Sequence, residues 1–509
     1  MRTAWETFPV ECRGGLITNQ GPLMQGANFP GSAIDLVNYE PSIEGGYAKI
    51  MGYEKWNEFP VPGTGQIQGA IITGVNSCIA VRNSKYYTST ERENWVEKLD
   101  LSTSLGDKIR WARFNFDGTP KVVMVDGKNK PVFWNSSTGT IAQDTSAIAD
   151  VEGANRVAVF KNHLFFVNGS KLVFTQPYIE TGYDVAQGAG IIDIGDRIAG
   201  LVAFREQLII FSFSSIKRLV GNTSSDFQLQ PIANDTGALC GDTIQEVGGD
   251  ILYLGPDGIR FLSATERIGD FALNRASERI QSKVTNLFIE CKGFSSTVIR
   301  SKSQYRVFRY LPLTEAEDAT VSSAGGFLGT KFIDRESDGI AWAETRGINS
   351  YSCDSQQVGS REIIIFVSSG NYVYEMELGN TFDGQPITCI YQTPFFPIND
   401  PKIRKTFYKH SAYIKAQGPL SITANLILDY GVVDPQPDSF IIQQNLNASN
   451  TWGEFFWGAG VWNAVITSMF PENLIGSSFN ASLRYVETSD GLPYVIDTII
   501  LEYRSSDRK

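Results

Sequence analysis

Five phrases of this chain, NSCIAVRNSKYYT, TPKVVMVDGKNKPVFW, KNHLFFVNGSKLVFT, REQLIIFSFSSIKRLV and GGDILYLGPDGIRFL, align when Ile79, Val122, Leu164, Leu208 and Leu252 are put in register. The steps between those residues are 43, 42, 44 and 44. Each phrase holds a short apolar run, a turn rich in Gly, Asn, Asp or Ser, and a second run with aromatic or branched residues, which is the pattern of a β-hairpin. An apolar run precedes it (ANRVAVF, DRIAGLVAF) and a more polar run follows (GIIDIGD, FQLQPIA). Four strands in about 43 residues make one propeller blade. A lone blade cannot bury both faces, so such units must stack around an axis and close into a ring.

Two looser matches follow, QYRVFRYLP around Val307 and EIIIFVSSGNYVYEME around Ile364, at steps of 55 and 57. Insertions such as LTEAEDATVSSAGGF account for the wider spacing, and six or seven blades fit between residues 65 and 384. Six Asp-Gly dipeptides, at Asp117, Asp126, Asp257, Asp338, Asp383 and Asp490, add type I′ turn signals. One short helix is predicted over Asn274 to Phe288, as a connector on a sheet edge. Beyond residue 385 the rhythm gives way to longer alternating strands, which predict a β-sandwich-like domain over 385–509. Residues 1–64 form an N-terminal arm. Its segment LVNYEPSIEGGYAKIMGYEKW, with the Gly45-Gly46 turn, predicts a hairpin for assembly or propeller closure. The fold class is therefore all-β, a β-propeller of six or seven blades followed by a C-terminal β-sandwich-like domain.

Chemistry is sparse. With only two histidines, His163 and His410, a metal site or a Ser-His-Asp machine has almost nothing to work with, and both read as packing or surface residues. There is no Gly-x-Ser-x-Gly elbow, phosphate loop or His-Glu-x-x-His pair, and VPGTGQIQG around Gly63 and Gly65 reads as a linker. The six cysteines, Cys12, Cys78, Cys240, Cys291, Cys353 and Cys389, are never closer than 36 positions, which suits buried thiols in a reducing cytoplasm. The start MRTAWETFPVE lacks a signal-peptide core, and no run approaches the ~20 apolar residues of a membrane helix. No cofactor, metal or catalytic residue is expected.

Forty-four basic residues against 55 acidic ones disfavour tight binding to a phosphate backbone. A cationic stretch, Lys402, Arg404, Lys405 and Lys409, could touch DNA or a partner subunit, or merely guard an exposed edge strand. The enzymatic alternative is a glycosidase, whose acid and nucleophile could come from Asp193 and Asp196, or from Asp235 and Asp242. The cluster Trp452, Phe455, Phe456, Trp457 and Trp462 could stack sugars, although such a cluster more often forms a core or interface.

Three long phrases carry a resemblance: GGLITNQGPLMQGANFPGSAIDLVNYEPSIEGGYAKIMGYEKW, the blade pair GDRIAGLVAFREQLIIFSFSSIKRLVGNTSSDFQLQPIANDTGALCGDTIQEVGGDILYLGPDGIRFLS, and the closing IDTIILEYRSSDRK. They resemble the tail nozzle, or hub, proteins of short-tailed bacteriophages, the packaged-DNA-stabilisation proteins. The resemblance implies a virion tail subunit, made in the host bacterial cytoplasm, that assembles as a homo-hexamer below portal and adaptor. It implies further contacts with needle, fibre or spike components, and transient contact with double-stranded DNA that is retained and then ejected. It supplies no catalytic residue: Asp196 to Gly200, Phe204, Leu208, Gly221, Gly237, Gly241, Gly255 and Gly258 transfer as fold determinants only. Residues 312–345 match no family phrase, so gate residues cannot be assigned there. The alternatives are a propeller that binds or cleaves glycan at the host surface, and a cytoplasmic scaffold that binds peptide across its top face.

Overall fold

All seven registered residues lie on the second strand of a sheet. Ile79 sits in Ser77–Arg82, Val122 in Lys121–Val125, Leu164 in His163–Asn168 and Leu208 in Gln207–Ser212; Leu252, Val307 and Ile364 follow in Asp250–Gly255, Gln304–Arg309 and Arg361–Val367. The computed structural model describes residues 5–264, 271–289, 293–312, 324–332, 339–432, 435–444 and 466–506. Blades one to five are four-stranded antiparallel sheets over residues 67–100, 110–143, 156–193, 198–233 and 240–275. Blade six contains Phe294–Ile299, Gln304–Arg309, Gly325–Lys331 and Ile340–Arg346. Blade seven takes three strands from residues 352–376, and its fourth, Tyr53–Lys55, comes from the arm. Among the described residues the propeller has seven blades.

Outside blade six, whose second strand buries Gln304 and Arg306, the second strands read as apolar runs because both of their faces are buried. Alternate residues serve opposite neighbours. Phe165 and Val167 of blade three pack on Leu208 and Ile210 of blade four, while Leu164 and Phe166 pack on Val123 and Val125 of blade two. Blades four and five repeat the arrangement through Ile209, Phe211, Ile251 and Tyr253. Blades seven and one meet through Ile363, Ile365, Ile72 and Ala80, with Trp56 of the arm in the same cluster.

The arm is more than a closing strand. Asp35–Val37 pairs in parallel with Ile340–Arg346 of blade six and antiparallel with Cys389–Gln392, so one nine-stranded sheet runs from blade six through the arm into the C-terminal region. The hairpin Tyr39–Pro41 and Tyr47–Lys49 pairs with Tyr494–Ser505. Its Gly46 has φ of +79°, and a Cβ there would meet Ile496 O at 2.7 Å, so the paired glycines serve both the turn and the close approach of the last strand. The C-terminal region stacks two sheets face to face, Ala412 and Ile414 of one against Ile422, Leu426 and Leu483 of the other, within a core shared with the arm. The expected boundary at 385 therefore divides a continuous sheet.

Three local expectations change. The predicted helix over 274–288 begins later: Phe271–Arg275 completes blade five, a 3₁₀ turn covers Glu278–Ile280, and the α-helix is Gln281–Ile289. That segment, between blades five and six, explains the step of 55, whereas LTEAEDATVSSAGGF falls between the second and third strands of blade six and bears on the step of 57. Of the Asp-Gly dipeptides within the described residues, only Asp383-Gly384 has positive φ at both positions. The tight turns opening blades three, four and five instead use Lys161-Asn162, Arg205-Glu206 and Gly248-Gly249. Strand twist selects the turn type, and the local residues accept left-handed φ. Asp338 lies outside the described residues.

Candidate functional site

The first strands of the blades stand side by side around the propeller axis. Ile109 N–H donates to Gln68 O, Arg156 Nε to Ala199 O, Ser296 Oγ to Asp242 O and Ser355 Oγ to Val298 O, each bond crossing from one blade to the next. Gly200 and Gly241 set the spacing of blades four and five. A Cβ on Gly241 would lie 1.9 Å from Ala199 O.

The channel so formed holds a polar cavity of about 280 Å³. Asp242 of blade five is one of its lining residues. Arg110 of blade two grips it with two nitrogens, Nε to Oδ1 at 2.9 Å and Nη2 to Oδ2 at 3.0 Å. Lys108 Nζ lies 3.2 Å from Oδ2 and Arg156 Nη2 lies 3.2 Å from Oδ1. Since blades two and five stand on opposite sides of the axis, these ion pairs bridge the channel from wall to wall. Burial alone would raise the Asp242 carboxyl, but the Lys108 and Arg110 charges outweigh it and hold the group below the ordinary carboxylate range. Burial pulls the Arg110 guanidinium down while the Asp242 and Asp107 charges outweigh it, so its pKa is raised. A second carboxylate, Asp354 of blade seven, accepts from Ile72 N–H at 2.7 Å and pairs with both terminal nitrogens of Arg113.

The residues proposed from sequence scatter. Asp193 is exposed at the end of an outer strand and accepts from Gly195 N–H; Asp196 accepts from Ser214 N–H at 3.1 Å and Ser214 Oγ at 2.6 Å. The Asp193 bond closes a turn, whereas the two Asp196 bonds tie together loops 18 residues apart within blade four. Asp235 is exposed in a loop, whereas Asp242 lies in the channel, and Asp242 is held ionised where a general acid must carry a proton. His163 is buried, with Nδ1–H donating to Thr175 O at 2.5 Å. His410 is buried against Tyr485. In the cationic stretch, Lys402 and Arg404 are exposed and Lys409 is half-buried, but Lys405 is buried and donates to Pro397 O, Asp400 O and Phe479 O. It is a structural ammonium. Trp452, Phe455, Phe456, Trp457 and Trp462 lie outside the described residues, as does Cys291. Cys12, Cys78, Cys240, Cys353 and Cys389 are free thiols. Among the described residues no group of three or more His, Cys, Asp or Glu could hold a metal ion, and no helix is long and apolar enough to cross a membrane.

Sequence reasoning did not single out Lys108, Arg110, Arg156 or Asp354. One signal was present: blades two and three both open their first strand with arginine, in RWARF and RVAVF.

No family model and no curated protein matches the chain. Solved structures do. The WD40 β-propeller domain of Doa1 is similar at 11% identity, covering 64% of this chain and 97% of that one, with a TM-score of 0.36. An ancestral GH74 enzyme is similar at 12% identity, covering 68% and 50%, with a TM-score of 0.40. PorZ, a surface component of the type-IX secretion system of Porphyromonas gingivalis, is similar at 10% identity, covering 68% and 43%, with a TM-score of 0.35. The chain thus spans half or less of the last two proteins.

Proposed function

We propose that the chain is a structural virion protein, a subunit of a hexameric tail nozzle or hub ring in a short-tailed bacteriophage, which extends the DNA channel below portal and adaptor. The observation that carries this reading is the ion bridge from Arg110 to Asp242 across the propeller axis. No polymer threads a channel bridged in this way, so each propeller acts as a solid block, and a bore for DNA arises between copies. Heterologous contacts that close on themselves generate such a bore. The net charge of -11 suits a wall along which DNA slides without adhering. The resemblance of the N-terminal, blade and C-terminal phrases to nozzle proteins supplies the biological setting.

Native mass spectrometry and negative-stain microscopy of the purified protein, alone and mixed with its adaptor, test this reading. Six-membered rings are the expected result. A persistent monomer in the mixture overturns it. A glycan-cleaving propeller would instead release sugar from host polysaccharide, and the ionised, triply paired state of Asp242 speaks against that use of the channel.

A further inference from the structure

The channel cavity is unbalanced in charge. Four cations line it, Lys108, Arg110, Arg156 and Arg300, with two carboxylates, Asp242 and Asp354. Asp354 is matched by Arg113 and Arg300 by Glu362, which leaves Lys108, Arg110 and Arg156 converging on the single charge of Asp242. Asp107 approaches Arg110 at 3.5 Å, but its side chain is 65% exposed at the channel mouth. A chain of net charge -11 has therefore gathered a local excess of cations inside a cavity, where like charges are costly to hold together.

Donors are also in surplus. The Asp242 carboxylate, with about four acceptor sites, is already taken by Arg110 twice, Lys108 and Arg156. Lys108 has three protons, and among the described residues its ammonium meets Phe294 O, Asp242 and, at 4.9 Å, the weakly accepting face of the Tyr351 ring. A second, independent feature is Thr297. It lines the same cavity at 2% exposure, and its Oγ1 has no hydrogen-bond partner among the described residues. Buried polar atoms in proteins are ordinarily paired, and this hydroxyl, itself closed to solvent, would gain its missing partner if the cavity wall opened around a bound acceptor.

We infer that this cavity binds a small tetrahedral oxyanion of the phosphate class, held by Lys108 and Arg156 with the Thr297 hydroxyl as an additional donor. At about 280 Å³ the space admits such an ion together with water. This site is independent of the ring assembly proposed above.

Titration of the full chain with inorganic phosphate, at ionic strength held constant with chloride, tests the inference by calorimetry and by ³¹P line broadening. Saturable binding is expected, with affinity reduced about ten-fold or more in Lys108→Gln and in Arg156→Gln, as loss of a charge-assisted bond predicts. Thr297→Val, which keeps the side-chain volume, is expected to weaken binding several-fold and remains informative if the charge variants fail to fold. Lys98→Gln, on an exposed outer strand, is the control and should bind as the parent does. Absence of saturable binding overturns the inference, as does binding that survives both Thr297→Val and whichever charge variant folds. A thymidine octamer that displaces phosphate would overturn the assignment to a small ion.

Discussion

Lys49 of the arm hairpin and Glu487 of the strand Ala481–Glu487 form an ion pair at 3.0 Å in which both side chains are shut off from solvent. The same ammonium donates to Ser489 O and Gly491 O, so its protons are all used. Removing one partner of such a pair leaves a buried charge uncompensated, whereas replacing both with apolar groups does not. Lys49→Met should destabilise the protein by about 3–5 kcal/mol in urea unfolding, and the double variant Lys49→Met, Glu487→Leu should recover most of that loss.

Closure of the propeller depends on the backbone beside Gly52. A Cβ there would lie 1.9 Å from Thr381 O, one residue ahead of the strand that completes blade seven. Gly52→Val should therefore cost about 2 kcal/mol or more, read as a lower urea midpoint at unchanged slope.

Asp242→Asn should destabilise the protein at pH 7 by about 3–5 kcal/mol, because three cations would then surround a neutral amide. The folded carboxyl titrates below its ordinary value of 3.8. Its contribution is thus complete above pH 3.8 and is lost as pH falls through the lower, folded value. Melting temperature against pH should be flatter below pH 4 in the variant than in the parent.

Burial holds His410 neutral, its pKa lowered to about 3, with Nε2 hydrogen-bonded to the Tyr485 hydroxyl at 2.7 Å. The unfolded chain binds a proton near pH 6.5 that the folded chain refuses, so stability falls as pH drops from 6.5 toward 3. The slope from this residue is about 1.4 kcal/mol per pH unit. Denaturant unfolding at pH 6, 5 and 4 should approach that slope, and His410→Gln should remove its part.

The blades were legible because a strand buried on both faces leaves an unbroken apolar run, and Ile79, Val122, Leu164 and Leu208 each lie in one. The arm was legible as a unit but its three destinations were not: strands of three residues, such as Asp35–Val37 and Tyr53–Lys55, are too short to carry a period. The channel was missed for a different reason. Lys108, Arg110, Arg156 and Asp242 are scattered over more than 130 positions, and only the ring brings the three cations within 3.2 Å of the Asp242 carboxylate. Turn chemistry misled for a third reason, since Arg205 and Glu206 take left-handed φ although neither residue favours it.

The strand Tyr53–Lys55 has consequences for how the molecule is made. It leaves the ribosome ahead of every other blade strand, yet its mate, Val373–Met376, emerges more than 300 residues later. During translation the growing chain must carry an unsatisfied edge past six completed sheets, a contact order that favours slow final locking. A stalled or truncated product would end as an open crescent, with the adhesive margin of its unfinished seventh unit exposed.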